Sequence, residues 1–210
     1  MIRLLIADDH TIVREGLKQV LRDYSDIQVI GEAKNGNEVL SMCDKNGLDV
    51  LLLDISMPGP GFLEILNLLK EKHPHVRILI LSMYSEDSYA IRAIKAGAMG
   101  YLTKDRSHYD LAYAIRQVYE GNKYVTPELS ETLASKLESK IEEQSHAKLS
   151  GREYQVLCMI GAGKNSNEIA SILSLSPKTI STYRMRVFDK MKFNSNTELI
   201  RYVVENKLKE

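Results

Sequence analysis

A short stretch near residue 50 constrains the fold of this chain more than any other. Val50 to Leu53 form an unbroken apolar run that ends at Asp54, and the turn-forming segment Met57-Pro58-Gly59-Pro60-Gly61 follows closely. An apolar run bounded by turn residues is typical of a strand buried on both faces of a parallel sheet. A carboxylate at the carboxyl end of such a strand lies where open α/β sheets bind ligands. Asp54 is therefore a candidate functional residue, with capping of a loop as the alternative.

Strand-like and helix-like patterns alternate five times over the first 121 residues. The pattern predicts strands at 2–7, 27–33, 50–53, 76–81 and 99–103, and helices at 11–24, 37–44, 62–73, 86–96 and 109–119. Such alternation predicts an α/β doubly wound five-stranded parallel sheet with right-handed crossovers. We place this first domain at residues 1–121, a partly helical linker at 122–148 and a second domain at 149–210. Within the linker, we expect a helix that Thr126 caps, with Pro127 in its first turn, and that runs to about residue 143. A flexible hinge should follow at 144–148.

Polar side chains follow the predicted strands where each one ends. They are Asp8, Asp9, Asp54, Ser82 and Lys104. Because the carboxyl ends of parallel strands share one edge, these side chains should converge. Carboxylates about 4 Å apart repel by roughly 4 kcal/mol per pair at an effective dielectric near 20, which one lysine cannot offset. Oxygen ligands of this kind favour Mg²⁺, and beside it Asp54 could act as a nucleophile toward a phosphoryl group while Ser82 and Lys104 stabilise the oxygens.

This set of residues resembles the signature of the receiver domain of two-component response regulators. The resemblance rests on Asp8-Asp9, on Asp54 followed by Met57-Pro58, on Ser82, and on Lys104 after Gly100-Tyr101-Leu102. It implies that Asp54 takes a phosphoryl group from a phosphohistidine of a sensor histidine kinase. It also implies that Asp9, Asp54 and the Ser56 carbonyl bind Mg²⁺, with Asp8 acting through water. Ser82 and Tyr101 would form the switch pair.

The last 62 residues show four helical segments in a different composition. Ser150 and Glu153 match a capping box at the start of the first helix, and Ser166 is predicted to open the second. Ser176-Pro177 is typical of the start of a third helix, which runs to Met191. A short helix, a tight turn and a longer basic helix indicate a small all-α four-helix domain with a helix-turn-helix. The third helix should turn Ile180, Val187 and Met191 inward, opposite Lys178, Thr182, Met185 and Arg186 and flanked by Ser181 and Arg184.

This second domain resembles the LuxR-type (NarL/FixJ) DNA-binding domain. The matching segments include Leu149-Ser150-Gly151-Arg152-Glu153 and the run from Ser176 to Tyr183. The resemblance implies that Ser181, Thr182 and Met185 contact bases. It implies contacts to the DNA backbone from Lys178, Tyr183, Arg184, Arg186 and Lys190. Asn196 stands where arginine is frequent in the family, so we expect some phosphate contacts to be lost.

Charge and composition agree with a regulator that binds DNA. The chain has no net charge, but residues 149–210 carry ten basic and six acidic side chains, which suits a polyanion. Only two cysteines and no long apolar run are present, so we expect a soluble cytoplasmic protein with buried thiols and no membrane segment.

We therefore predict a transcriptional regulator, not an enzyme, that forms a homodimer on phosphorylation or on DNA. The alternatives are a Mg²⁺-dependent phosphohydrolase that uses an aspartyl-phosphate, and a DNA-binding protein that does not depend on phosphorylation.

Overall fold

The computed structural model describes residues 1–44, 47–83, 86–126, 129–131, 146, 149–206 and 208, without the side chains of 86–88. The chain divides into two compact units, residues 1–137 and 138–210, and each is described by itself. The domain boundaries drawn from the sequence remain a prediction. Within the described ranges, no helix combines the length and the apolar character needed to cross a bilayer.

The first unit is built on a five-stranded parallel sheet. Its strands lie in the order β2-β1-β3-β4-β5, which confirms the predicted fold class. The strands are β1 Ile2–Ala7, β2 Ile27–Ala33, β3 Val50–Asp54, β4 Arg77–Ser82 and β5 Gly100–Thr103. The helices between and after them are α1 Thr11–Leu21, α2 Gly36–Cys43, α3 Phe62–Lys72, α4 Glu86–Ala96 and α5 His108–Tyr119.

Strand β3 occupies the centre of this sheet. All five of its residues are buried, and it pairs with β1 on one side and β4 on the other. An apolar strand with helices packed on both faces loses water contact along its whole length, which favours this position over an edge. The core cluster around it includes Leu4, Ile6, Leu52, Leu79 and Ile115. The predicted role of the 50–53 run is thus confirmed.

Most helix ends in this unit have a local cause. Gly97 and Gly121 adopt φ +113° and +89°, a left-handed conformation that stops a helix readily at glycine. Ser107 caps α5 through a capping box with Asp110. Helix α2 begins at Gly36, one residue before its predicted start, because Asn35 is its N-cap and accepts a hydrogen bond from the Glu38 N–H.

The chain beyond α5 continues beside the sheet. Tyr124 forms an isolated parallel bridge with Gly100: its carbonyl accepts a hydrogen bond from the Tyr101 N–H at 3.2 Å and its N–H donates to the Met99 carbonyl at 2.9 Å. Thr126 then accepts from the Leu129 N–H at 3.2 Å, as expected for the start of the linker helix. The rest of that helix and the hinge fall outside the described residues.

The second unit consists of α6 Gly151–Gly161, α7 Ser166–Ile172, α8 Pro177–Met191 and α9 Asn196–Glu205. The predicted capping box of Ser150 and Glu153 is present, and Ser176 caps α8 with Pro177 in its first turn. Asn165, rather than the predicted Ser166, caps α7. Helices α7 and α8 with the four residues between them form the predicted helix-turn-helix, and their apolar faces share a core cluster of Val156, Met159, Ile169, Ala170, Leu173 and Ile180.

Candidate functional site

The carboxyl edge of the sheet gathers the predicted polar residues. Asp54 ends β3, Ser82 ends the neighbouring β4, and Lys104 follows β5. Register fixes their spacing along the edge, because Asp54 pairs with Leu81 and Ser82 pairs with Thr103. Asp8 lies one residue beyond β1, on the other side of β3. The parallel topology therefore assembles one site from four strand ends.

Lys104 joins two buried carboxylates of this site. Its Nζ lies 2.6 Å from Oδ2 of Asp8 and 3.1 Å from Oδ1 of Asp54, and these two acids are 1% and 4% exposed. Burial raises the pKa of Asp54, as does the Asp8 charge, while Lys104 opposes this. Burial alone would lower the pKa of Lys104, but the charges of Asp54 and Asp8 raise it overall. The lysine is thus a permanent cation at the position where negative charge accumulates.

Asp8, Asp9 and His10 offer ligand atoms that all lie within 4.8 Å of one another. The His10 N–H donates to Asp8 Oδ1 at 2.8 Å, and the His10 ring Nδ1 is 2.8 Å from Asp9 Oδ1. That contact lacks hydrogen-bond geometry, so within the described part of the chain the buried Asp9 Oδ1 has no hydrogen-bond partner. Two adjacent carboxylates, one of them with an oxygen that accepts no hydrogen bond from the described residues, fit a hard divalent cation. Asp54 lies outside this group of three and is joined to Asp8 through Lys104.

Arg14 is a residue of this site that the sequence interpretation missed. Its Nη1 donates to the Asp8 carbonyl at 2.8 Å and its Nε donates to Glu32 Oε2 at 3.1 Å. Only 12% of the Arg14 side chain is exposed. The arginine therefore ties the end of β1 to β2 and fixes the backbone that carries the acid pair.

The loop after Asp54 is held at both of its sides. The Ser56 N–H donates to Asp54 Oδ2 at 3.1 Å, which orients the carboxylate. The Gly36 N–H at the start of α2 donates to the Pro58 carbonyl at 2.9 Å. A Cβ on Gly36 would lie 2.7 Å from the Pro60 carbonyl oxygen, so only glycine permits this approach. The Pro/Gly segment is thus anchored to α2 rather than loose.

Ser82 and Tyr101, the predicted switch pair, are both fully buried at 0% exposure. They lie on neighbouring strands, where Tyr101 pairs with Ile80 and Ser82 with Thr103. Tyr101 also donates its N–H to Tyr124, on the chain that leaves the sheet. The pair therefore connects the carboxyl edge with the start of the linker.

In the second unit, α8 presents a mixed polar and basic face. Ile180, Val187 and Met191 are buried as predicted, and Tyr183 is half-buried against the core cluster. The exposed residues are Lys178, Ser181, Thr182, Arg184, Met185 and Arg186. Met185 is 62% exposed, so this polar and basic face also presents one apolar side chain.

Two hydroxyl groups on this face already donate a hydrogen bond to the helix backbone. Ser181 Oγ donates to the Pro177 carbonyl at 3.0 Å, and Thr182 Oγ1 donates to the Lys178 carbonyl at 3.1 Å. A hydroxyl that donates to the helix backbone keeps its lone pairs for another partner. In this arrangement both side chains act as acceptors, which suits the amino groups of adenine or cytosine in the major groove.

Lys190 occupies a different environment from the other basic residues of α8. Its Nζ lies 2.7 Å from Glu153 Oε2, and the Glu153 side chain is 3% exposed. Burial alone would raise the pKa of Glu153, but hydrogen bonds from Lys190 and the Ser150 N–H lower it below the usual value. The pair links the end of α8 to the start of α6, so Lys190 has a structural contact besides its predicted one with DNA.

Comparison with known proteins decides the family. Residues 4–116 match the response regulator receiver domain, and residues 147–203 match the bacterial regulatory proteins of the luxR family. The chain therefore belongs to the response regulators with a LuxR-type output domain. It is a phosphorylation-controlled transcription regulator, and its family consists of DNA-binding regulators rather than classical enzymes.

Individual relatives cover nearly the whole of this response regulator. The response regulator UvrY of Escherichia coli K12 is 37% identical over 209 residues, which are 99% of this chain and 96% of UvrY. RcsB from Salmonella enterica serovar Typhimurium, solved on promoter rprA with phosphomimetic BeF₃⁻, is 26% identical with a TM-score of 0.60, covering 97% and 98% of the two chains. A structure of two RcsB dimers on two parallel DNAs is 26% identical with a TM-score of 0.59 and the same coverage.

Proposed function

We propose that Asp54 of this response regulator accepts a phosphoryl group from a phosphohistidine of a sensor histidine kinase, and that phosphorylation controls DNA binding by α8. The observation that carries this proposal is the contact of one lysine, whose side chain is 10% exposed, with Asp54 and Asp8 at a single sheet edge. A buried carboxylate with a fixed cation beside it is suited to attack phosphorus and to hold the charged product.

The transfer forms one bond and breaks one bond. An Asp54 oxygen attacks phosphorus, the bond from phosphorus to the kinase imidazole breaks, and the imidazole keeps the bonding electrons. Lys104 and Ser82 would then hold the phosphoryl oxygens on Asp54, because both side chains end at the same edge. Asp9, Asp54 and the Ser56 carbonyl would hold Mg²⁺, with Asp8 acting through water, and the bound ion would neutralise charge on the phosphoryl oxygens. The Ser56 N–H contact keeps the Asp54 carboxylate oriented for this step.

Ser82 and Tyr101 would report the phosphoryl group to the rest of the protein. Movement of the Ser82 hydroxyl toward the phosphoryl oxygens would change the space behind it and the position of the Tyr101 ring. A shift from 1:99 to 99:1 between two states needs about 5.5 kcal/mol of differential stabilisation, which the charge-assisted contacts of a phosphoryl group can supply. We propose that the phosphorylated state favours a homodimer.

The output domain would bind double-stranded DNA through α8. Ser181, Thr182 and Met185 would contact bases, and Lys178, Tyr183, Arg184, Arg186 and Lys190 would contact the backbone. A homodimer would place two such helices on half-sites about one helical turn apart. The dimers and promoter complex of RcsB support this arrangement. Binding to chromosomal DNA implies a cytoplasmic location.

Treatment with acetyl phosphate tests the proposal. We expect the wild-type chain to gain one phosphoryl mass on Asp54 and to bind more tightly to duplexes that it selects from a randomised library. Asp54→Asn should gain neither mass nor affinity. Asp44→Asn is the matched control, because Asp44 is 72% exposed and remote from the edge.

Two outcomes would favour the other candidate functions. Continuous turnover of small phosphate esters above about 1 s⁻¹ would indicate a phosphohydrolase. Equal DNA affinity with and without acetyl phosphate, despite phosphorylation, would indicate a DNA-binding protein that does not depend on phosphorylation.

A further inference from the structure

Arg184 is the one exposed cation of α8, within the described residues, that is held by side chains on two different elements. Its Nη2 donates to Asn196 Oδ1 at 3.0 Å, and its guanidinium carbon lies 5.2 Å from the centre of the Phe188 ring. Asn196 is the first residue of α9 and lies twelve positions along the chain. A guanidinium only donates hydrogen bonds, so the amide oxygen is the atom of Asn196 that faces it.

The aromatic platform under Arg184 is itself fixed. The Phe188 ring meets the Phe193 ring edge-on, with centroids 6.2 Å apart. Phe193 in turn lies 5.4 Å from the ring of Tyr202 on α9. The Phe188 ring is thus held against Phe193 in the turn between α8 and α9, which gives the arginine above it a fixed surface.

The other exposed cations of this face do not combine a fixed position with a largely open charged group. Lys178 and Arg186 are both exposed, and within the described residues neither has a hydrogen bond or ion pair from its charged group. The Lys190 ammonium donates a hydrogen bond to the Glu153 carboxylate. Arg184 combines exposure toward solvent with a defined position, and four of its five guanidinium N–H groups remain for a phosphate.

We infer that Asn196 is a positioning residue for DNA binding, which orients the Arg184 guanidinium on the Phe188 ring to meet a backbone phosphate. This inference rests on the proposed DNA binding by α8. Asn196 acts through Arg184 and does not itself contact DNA. Orientation before binding reduces the loss of side-chain freedom in the complex, and a fixed cation also sets the register of the helix on the duplex.

A double-mutant cycle tests the inference with the full-length chain and a fluorescent duplex that the wild-type chain selects from a randomised library. Asn196→Ala should weaken binding by about threefold to tenfold without changing the salt dependence, since the arginine still reaches the phosphate. Arg184→Ala should weaken binding and reduce the slope of log K against log salt by about 0.9. In the Arg184→Ala background, Asn196→Ala should have no further effect.

Further variants separate positioning from folding. Asn196→Ser and Phe188→Leu should weaken binding in the same direction as Asn196→Ala, and both effects should vanish without Arg184. Asn194→Ala, at a neighbouring exposed asparagine, should bind like the wild type. Ser195 caps α9 with its own side chain, so the melting temperature of the Asn196 variants should be retained.

Two results would overturn the inference while leaving DNA binding intact. One is an Asn196→Ala variant that binds as tightly as the wild type. The other is an Asn196→Ala effect of equal size with and without Arg184, which would mean that Asn196 contacts DNA directly. A wild-type chain that binds no duplex would instead overturn the proposed function itself.

Discussion

Replacement of Lys104 by methionine should destabilise the first unit and leave the second unit unchanged. The lysine Nζ contacts one oxygen of Asp8 and one of Asp54, so these two oxygens lie less than about 6 Å apart. Two charges at that separation repel by about 3 kcal/mol at an effective dielectric near 20. Removal of one member of a buried ionic cluster typically costs about 3–5 kcal/mol. We therefore expect a loss of about 3 kcal/mol in the free energy of unfolding without Mg²⁺.

Native-state hydrogen exchange measures this loss for each unit separately. Amides of β1, β3 and β4 report the opening of the sheet, and amides of α8 provide an internal control that should not change. Lys95→Met is the matched variant, because Lys95 is exposed near the end of α4, and it should change the free energy by no more than about 0.5 kcal/mol.

A second substitution distinguishes charge repulsion from lost packing. Asp54→Asn in the Lys104→Met background removes one of the two repelling charges, so it should restore about 2 kcal/mol. The reasoning is refuted if Lys104→Met costs less than about 1 kcal/mol, or if Asp54→Asn restores none of the loss.

Two further predictions concern other contacts. Gly36→Ala should lower the free energy of unfolding by about 1–3 kcal/mol in urea titrations, because its Cβ would meet the Pro60 carbonyl oxygen at 2.7 Å. Gly16→Ala is the control, because nothing lies within 4 Å of the added Cβ. Its free energy of unfolding should rise by about 1 kcal/mol. A loss as large as that of Gly36→Ala would contradict this explanation. Glu153→Gln should lower stability by about 1–2 kcal/mol near neutral pH. The pKa of Glu153 is lower in the folded chain than in the unfolded chain. The stabilisation by the Glu153 charge is therefore complete above the unfolded pKa, and it is lost as the pH falls through the folded pKa. The difference from wild type in urea unfolding followed by circular dichroism should therefore shrink at acid pH, and a constant difference would show that the charge is irrelevant.

The sequence predicted the sheet and the convergence at its edge because both follow from local patterns. The apolar run at 50–53 excluded an edge strand, and Gly97 and Gly121 marked helix ends without tertiary information. The cap at Ser107 was missed although Asp110 stands three residues later, a spacing that indicates a capping box. The cap at Asn35 was missed although asparagine is a favoured N-cap residue.

Contacts between distant side chains could not be predicted in the same way. Arg14 reaches Glu32 and the Asp8 carbonyl only after β1 and β2 have paired, and no local pattern encodes that distance. Asn196 was expected to mark a lost phosphate contact, whereas the structure places it against Arg184. Which side chains share a surface depends on packing angles between helices, and those are set by the whole core.

The bridge between Gly100 and Tyr124 has a practical meaning for anyone who shortens this protein. A chain cut after residue 121 would lose Tyr124, which shields the outer border of β5 through backbone hydrogen bonds. Uncovered strand borders invite pairing between molecules, so a fragment that stops at 121 should self-associate more readily than one that retains residues through 126.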